Sequence, residues 1–255
     1  MTAVDLFTGD LELTGRITTA SNATFLGTIG EQSVVYKPVK GEKPLWDFPH
    51  HTLANREVAA YLVSEALGWN IVPHTWLREG PFGPGMVQLW QEVDPEQHPV
   101  DLVMSSEVPS TGWKSVLKGQ DENGQDVSLV HEDGLQLRRM AVFDVLVNNA
   151  DRKGDHVLAM ANGHRFGVDH GLSFHEEHKL RTVLWGWIGE PLNDKEREGI
   201  NHLFVALSQD LGQALTSFLS TTEIEALGQR CSNLLSDSSF PQHSGDMPAV
   251  PWPLF

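Results

Sequence analysis

Cysteine is nearly absent. Cys231 is the only one in 255 residues, so no disulfide can form within the chain, and a reducing, cytoplasmic setting fits. Long apolar runs are missing too: no uninterrupted stretch approaches the length of a membrane span. Residues Met1–Asp10 have neither the basic start nor the apolar middle of a signal peptide. Positive charge is scarce. The 18 Lys+Arg stand against 34 Asp+Glu, a formal net charge of −16, and no Lys/Arg cluster offsets it. Such a chain is repelled by nucleic acid and by anionic membrane surfaces, so neither is expected as a partner. There is no G-x-x-x-x-G-K-[ST] loop, no G-x-S-x-G elbow, no H-E-x-x-H pair and no 20–50-residue repeat. Four of the 12 histidines fall in two clusters, His50-His51 and His175-Glu176-Glu177-His178; the second reads as a polar loop, and no dedicated transition-metal site is expected from them.

What remains is a globular composition, 40% hydrophobic and 20% charged, long enough for a sizeable core. Leu11–Lys37 reads as three strands, around a loop of small polar residues at Thr18–Thr24 and a turn at Gly30-Glu31. A Pro-rich connector over Lys40–His51 leads to a helix capped by Thr52 and closed by Gly68. Ile71–Leu77 and Met86–Gln91 read as strands around a Gly/Pro turn at Gly80–Gly85. Residues Asp94–Gly134 are acidic and Pro-broken. They carry a hairpin about Asp121–Gly124, readable as a shaper of the substrate mouth or as surface decoration.

The informative stretch follows. Leu135–Asn149 has helical apolar spacing with Asp144 inside it, a charge that needs a partner if buried; Arg152 is the candidate. Then come a polar loop, Asn148–His156, a strand Val157–Met160, an Asn162-Gly163 turn, a strand Arg165–Val168, and Asp169-His170-Gly171. The hairpin folds the chain back on itself, so Asp151 and Asp169 can meet. Phosphoryl transfer needs such a pair: one carboxylate orients the attacking hydroxyl and another holds the metal on the phosphates.

Asp151-Arg152, followed by a hairpin and Asp169-His170-Gly171, resembles the catalytic core of the phosphatidylinositol 3-/4-kinase-like superfamily. Phe143–Arg152 is similar to the HipA-like form and Asp169–Phe174 to the type II phosphatidylinositol 4-kinase form, in a soluble, actinobacterial-type member. The resemblance implies an α+β, two-lobed protein-kinase-like fold. Residues 1–92 would be the β-rich N-lobe and 93–255 the mainly helical C-lobe. It implies ATP and Mg2+ or Mn2+ as cofactors. Asp151 would be the catalytic carboxylate, with Arg152 and Lys153 beside it, and Asp169 and His156 would hold the metal. Lys37 would grip the α- and β-phosphates, held by Glu57 lying 20 residues further on. Read without the resemblance, Lys37 is equally a lysine guarding a sheet edge and Glu57 a solvated helix residue. Ser21, Asn22, Ala23 and Thr24 would cover the phosphates; Gln88, Leu89 and Trp90 would form the hinge against adenine.

One position departs. The superfamily usually has Asn five residues after the Asp, and here that place holds His156. Imidazole suits softer divalent metals than the amide oxygen does. The acceptor expected is a soluble hydroxyl, on a small inositol-type polyol or a protein Ser/Thr. A nucleotide-binding pseudokinase and a phosphoinositide lipid kinase are the alternatives. Beyond Phe174, helices are expected over Asp194–Leu219 and from Thr221 or Thr222 to Leu235. A Ser/Pro-rich tail ends in Pro251-Trp252-Pro253-Leu254-Phe255, free to dock or to bind a partner.

Overall fold

The computed structural model describes residues 5–18, 20–243 and 248–255. Thr19 of the small-residue loop, the first four residues, and 244–247 of the tail lie outside them.

The architecture is mixed α/β and every sheet is antiparallel. Strands β1 (Leu11–Ile17), β2 (Thr24–Ile29), β3 (Gln32–Pro38), β4 (Thr75–Gly80) and β5 (Gly83–Leu89) form one sheet in the order β1-β2-β3-β5-β4. The side-chain alternation of a strand splits β3 between two faces. Val34 and Tyr36 pack with Ile29, Trp76 and Val87 on one face. On the other face Lys37 turns toward α1 (Leu53–Leu67), whose Ala54 and Val58 pack on Met86. Because β3 is an inner strand, Lys37 is not guarding an edge.

Helix α1 starts after Thr52, whose hydroxyl bonds Pro49 O rather than capping. The Glu42 carboxylate instead accepts from the Leu53 and Ala54 amides, at 3.2 and 2.8 Å. Gly68, in the left-handed region at φ 66°, closes the helix. Ile71–His74, expected as strand, runs irregularly into the core, and β4 begins only at Thr75. The Gly/Pro turn shrinks to Pro81-Phe82, with Gly83–Gly85 already paired in β5.

Residues 94–134 are more than decoration. A strand the sequence did not reveal, β6 (Val100–Met104), joins β7 (Trp113–Gln120) and β8 (Asp126–Glu132) in the order β6-β8-β7. Leu129, Val130 and His131 of the middle strand are buried. Helix α2 (Leu135–Val147) runs through the main core among α1, α3 (Asp194–Leu207) and α5 (Thr221–Asp237). Its end is set by Asn148, left-handed at φ 53°. The Asn148 side chain donates to the carbonyls of His175 and Glu177 and accepts from the Lys179 amide. Strands β9 (Val157–Ala159) and β10 (Arg165–Gly167) make the expected hairpin. The expected Asp194–Leu219 helix is broken into α3 and α4 (Asp210–Leu215). Ser220, not Thr221 or Thr222, caps α5, in a capping box with Glu223.

The tail docks. Ala249 O accepts from Thr182 N and Trp185 Nε1, and Leu254 packs on the main core. Leu254 O accepts from Gly154 N at 2.8 Å, and the Phe255 ring lies on the Gly154 α-carbon.

Candidate active site

The site is assembled from four pieces: β3, α1, the loop after α2, and the segment after β10. Lys37 on β3 reaches Glu57 on α1, Nζ to Oε1, at 2.7 Å, and Asp169, Nζ to Oδ1, at 2.6 Å. The other Glu57 oxygen accepts from the His170 amide at 2.9 Å. One buried carboxylate therefore ties the sheet lysine to the segment after β10. Burial works against the Lys37 charge, but Asp169 and Glu57 outweigh it and hold its pKa above the ordinary lysine value. Lys37 likewise pulls the Asp169 carboxyl well below the usual carboxylate range, helped by His156. Asp169 sits at φ 62°, a left-handed conformation uncommon for a residue with a side chain, and that side chain is half open to solvent.

Asp151 and His156 enter from the loop. His156 Nδ1 donates to the Asp151 carbonyl at 2.9 Å, which leaves the lone pair on Nε2. That Nε2 lies 3.4 Å from Asp169 Oδ2. An imidazole nitrogen and a carboxylate oxygen this near, with Asp169 partly open to solvent, fit a shared divalent ion, and the nitrogen favours Mn2+ over Mg2+. Among the described residues no group of three or more His, Cys, Asp or Glu is disposed to hold a metal, so phosphate oxygens or water would complete the shell. The Asp151 carboxyl is raised, mainly by burial, against the pull of His156 and Lys153.

Beneath the loop lies a fully buried ion pair. Arg152 binds Asp144 through Nε and Nη2, at 2.9 to 3.1 Å. It also donates to the carbonyls of His156 and Val168 and to His170 Nε2. Asp144 in turn holds Asn149 and Thr182, and Asn149 Oδ1 accepts from the Asp151 amide at 3.0 Å. Gly167 makes room: a β-carbon there would lie 2.9 Å from the Arg152 guanidinium. Arg152 thus lies below the site with no face open, and it sets the relative positions of Asp151, His156 and Asp169. Lys153 is half-buried and forms no ion pair among the described residues.

The remaining expected residues sit as follows. The Ala23 amide is spent on Gly41 O, Asn22 Oδ1 accepts from Lys43 N, and the buried Thr24 hydroxyl bonds Asn22 O. The loop is stitched to residues 39–43, leaving Ser21 as its most open member. Gln88 is buried and donates to Thr75. The Leu89 and Trp90 amides are spent on His74 O and Ser33 O, and the Trp90 indole turns outward to Glu92. Among the described residues the Gln91 amide is the first on this segment with no backbone partner. Sequence reasoning missed Glu42 and Arg181. Arg181 donates from Nε to Ala150 O at 2.8 Å. Neither belongs to a spaced motif; each is brought in by pairing across the fold.

Fold and site together define a mixed α/β protein, built on antiparallel sheets, with one lysine, one histidine and three carboxylates gathered at a single place. The chain is 50% identical over 260 residues to Protein Rv2133c of Mycobacterium tuberculosis, covering 97% of this chain and 93% of that protein, and it belongs to that protein's family. No family model matches. Among solved structures, the Helicobacter pylori proinflammatory kinase CtkA superposes with a TM-score of 0.47 at 14% identity, over 93% of this chain and 95% of that one, a likeness too distant to carry anything across.

Proposed function

We propose that this protein is an ATP-dependent phosphotransferase, using Mg2+ or Mn2+, that moves the γ-phosphate to a hydroxyl of a soluble acceptor, a small polyol or a protein Ser/Thr. In this reading residues 1–92 and 93–255 are the two lobes of a protein-kinase-like fold working in the cytoplasm, and the nucleotide lies between them. The observation that carries it is the double engagement of Lys37 with Glu57 and Asp169, with His156 Nε2 beside the free Asp169 oxygen.

Each group has a role its surroundings suit. Asp169 and His156 would hold the ion, which when bound would supply neutralising charge to the phosphate oxygens. Lys37 leaves Asp169 for the α- and β-phosphates while Glu57 keeps it in place. Asp151 orients the acceptor hydroxyl and takes its proton; the raised pKa imposed by burial suits that late proton transfer. The acceptor oxygen bonds the γ-phosphorus as the bond to ADP breaks. Lys153 meets the transferred phosphoryl group, and Arg152 positions the loop from below. The backbone at Gln91 and beyond faces adenine.

ATP consumption with either metal tests this. Turnover lost in Asp151→Asn, with nucleotide binding intact, supports it. Failure of the wild-type protein to bind ATP in either metal sinks it. The histidine in the asparagine place favours a second reading, a nucleotide-binding regulator, for which binding without turnover is the signature.

A further inference from the structure

We propose that the acceptor bears an anionic group, phosphate or carboxylate, beside its reacting hydroxyl, and that Arg181 receives it. This rests on the phosphotransferase reading and names the substrate class for the same site.

Arg181 is fixed to the catalytic loop by three hydrogen bonds. Its amide donates to Asn149 O at 2.9 Å, its carbonyl accepts from Arg152 N at 3.1 Å, and its Nε donates to Ala150 O at 2.8 Å. These bonds flank Asp151 on both sides in sequence. They place the guanidinium near enough for its charge to act on the Asp151 carboxyl, as the Lys153 ammonium does from the other direction in sequence. Yet Arg181 makes no ion pair with Asp151 or with any other described carboxylate. Its two terminal nitrogens have no hydrogen-bond partner among the described residues, and neither is a buried orphan.

Four arginines are taken by carboxylates: Arg56 by Glu223, Arg138 by Glu190 and Glu196, Arg152 by Asp144, and Arg165 by Glu132. Of those with no ion pair among the described residues, Arg181 alone is bonded through its side chain to the loop that carries Asp151. In a chain with 34 acidic residues to 18 basic ones, carboxylate partners are plentiful. An arginine braced through Nε, with its fork left open beside the catalytic carboxylate, is a receiver for an external anion. The planar fork matches phosphate and carboxylate. A neutral polyol gains nothing from it.

The test uses the full-length protein, saturated with a non-hydrolysable ATP analogue and Mg2+, and titrated with inorganic phosphate by calorimetry. The wild type should bind phosphate without displacing the nucleotide, Arg181→Gln should weaken that binding tenfold or more, and Arg181→Lys should recover part of it. Glycerol 3-phosphate and glycerate should compete with phosphate and glycerol should not, and the stronger of the two anions identifies phosphate or carboxylate as the group read. Absence of phosphate binding, binding unchanged in a folded Arg181→Gln, displacement by nucleotide, or equal competition by glycerol overturns the proposal. The initial nucleotide titration is a separate readout: if the analogue does not bind, the phosphotransferase reading fails, while phosphate dependence on Arg181 still reports on the anion site.

Discussion

Glu57 spends its two oxygens on two different parts of the fold, the Lys37 ammonium and the His170 amide. Glu57→Ala should therefore loosen both at once, leaving Lys37 with Asp169 alone and a buried N–H without a partner. The expected loss is about 2–4 kcal/mol of stability, read from urea unfolding, together with weakened nucleotide affinity. Asp144→Ala removes the only carboxylate that, among the described residues, pairs with the fully buried Arg152, and should cost about 3–5 kcal/mol in the same assay. Asp144→Asn with little change would show that the Arg152 charge is not what the pair compensates. His156→Asn should move the metal preference from Mn2+ toward Mg2+, checked by loss of nitrogen coupling in the electron paramagnetic resonance of bound Mn2+. These residues were legible because each sits in a motif with fixed spacing or carries a charge inside an apolar run. Arg181 was not: its neighbours Asn149 and Ala150 lie about thirty positions away, and only backbone pairing joins them.

At the scale of elements, the sequence located the strands of the first sheet, both hairpins and the helices, because apolar alternation and turn residues bound them. The failures have local causes. The Thr52 hydroxyl was outcompeted as a cap by Glu42 ten residues upstream, a distance no capping pattern covers. Val100–Met104 has too little alternation to announce β6, which is paired only because β8 offers it an edge. Within the expected Gln88–Trp90 hinge, the amides of Leu89 and Trp90 are engaged by His74 O and Ser33 O, partners that no local pattern announces. The docked tail adds a constraint on the loop that carries Asp151. Gly154 has room for hydrogen only, since a β-carbon would run into the Phe255 ring. Gly154→Ala should unseat that ring, cost about 1–3 kcal/mol, and lower turnover more than nucleotide affinity, since Asp151 shares the loop. Phe255→Ala in the Gly154→Ala background should relieve part of the strain; no relief would mean that the tail does not brace the loop.

For the whole molecule, the pH response follows from a buried histidine outside the site. His131 donates from Nδ1 to Glu132 O and accepts at Nε2 from Gly186 N, 3.0 Å away, so a second ring proton would face an N–H. Burial lowers its pKa to about 4 from 6.5. A histidine depressed in the folded state binds more protons unfolded, so stability is full above about 6.5 and is lost as pH falls toward 4. The effect is on the order of 3 kcal/mol, and His131→Gln should reduce that slope in thermal unfolding between those limits, leaving the share of the buried His170, which is depressed in the same direction. Among the described residues, no helix is long and apolar enough to cross a membrane, and the net charge of −16 agrees with weak attraction to anionic lipid. The central claim is that five side chains from four separate elements converge on one metal-bound nucleotide. A crystal structure with an ATP analogue and Mn2+ tests it most directly. The account predicts the ion on Asp169 and His156 Nε2, the α- and β-phosphates on Lys37, and the γ-phosphate facing Asp151. Nucleotide bound elsewhere, or an ion that bypasses both ligands, would contradict it.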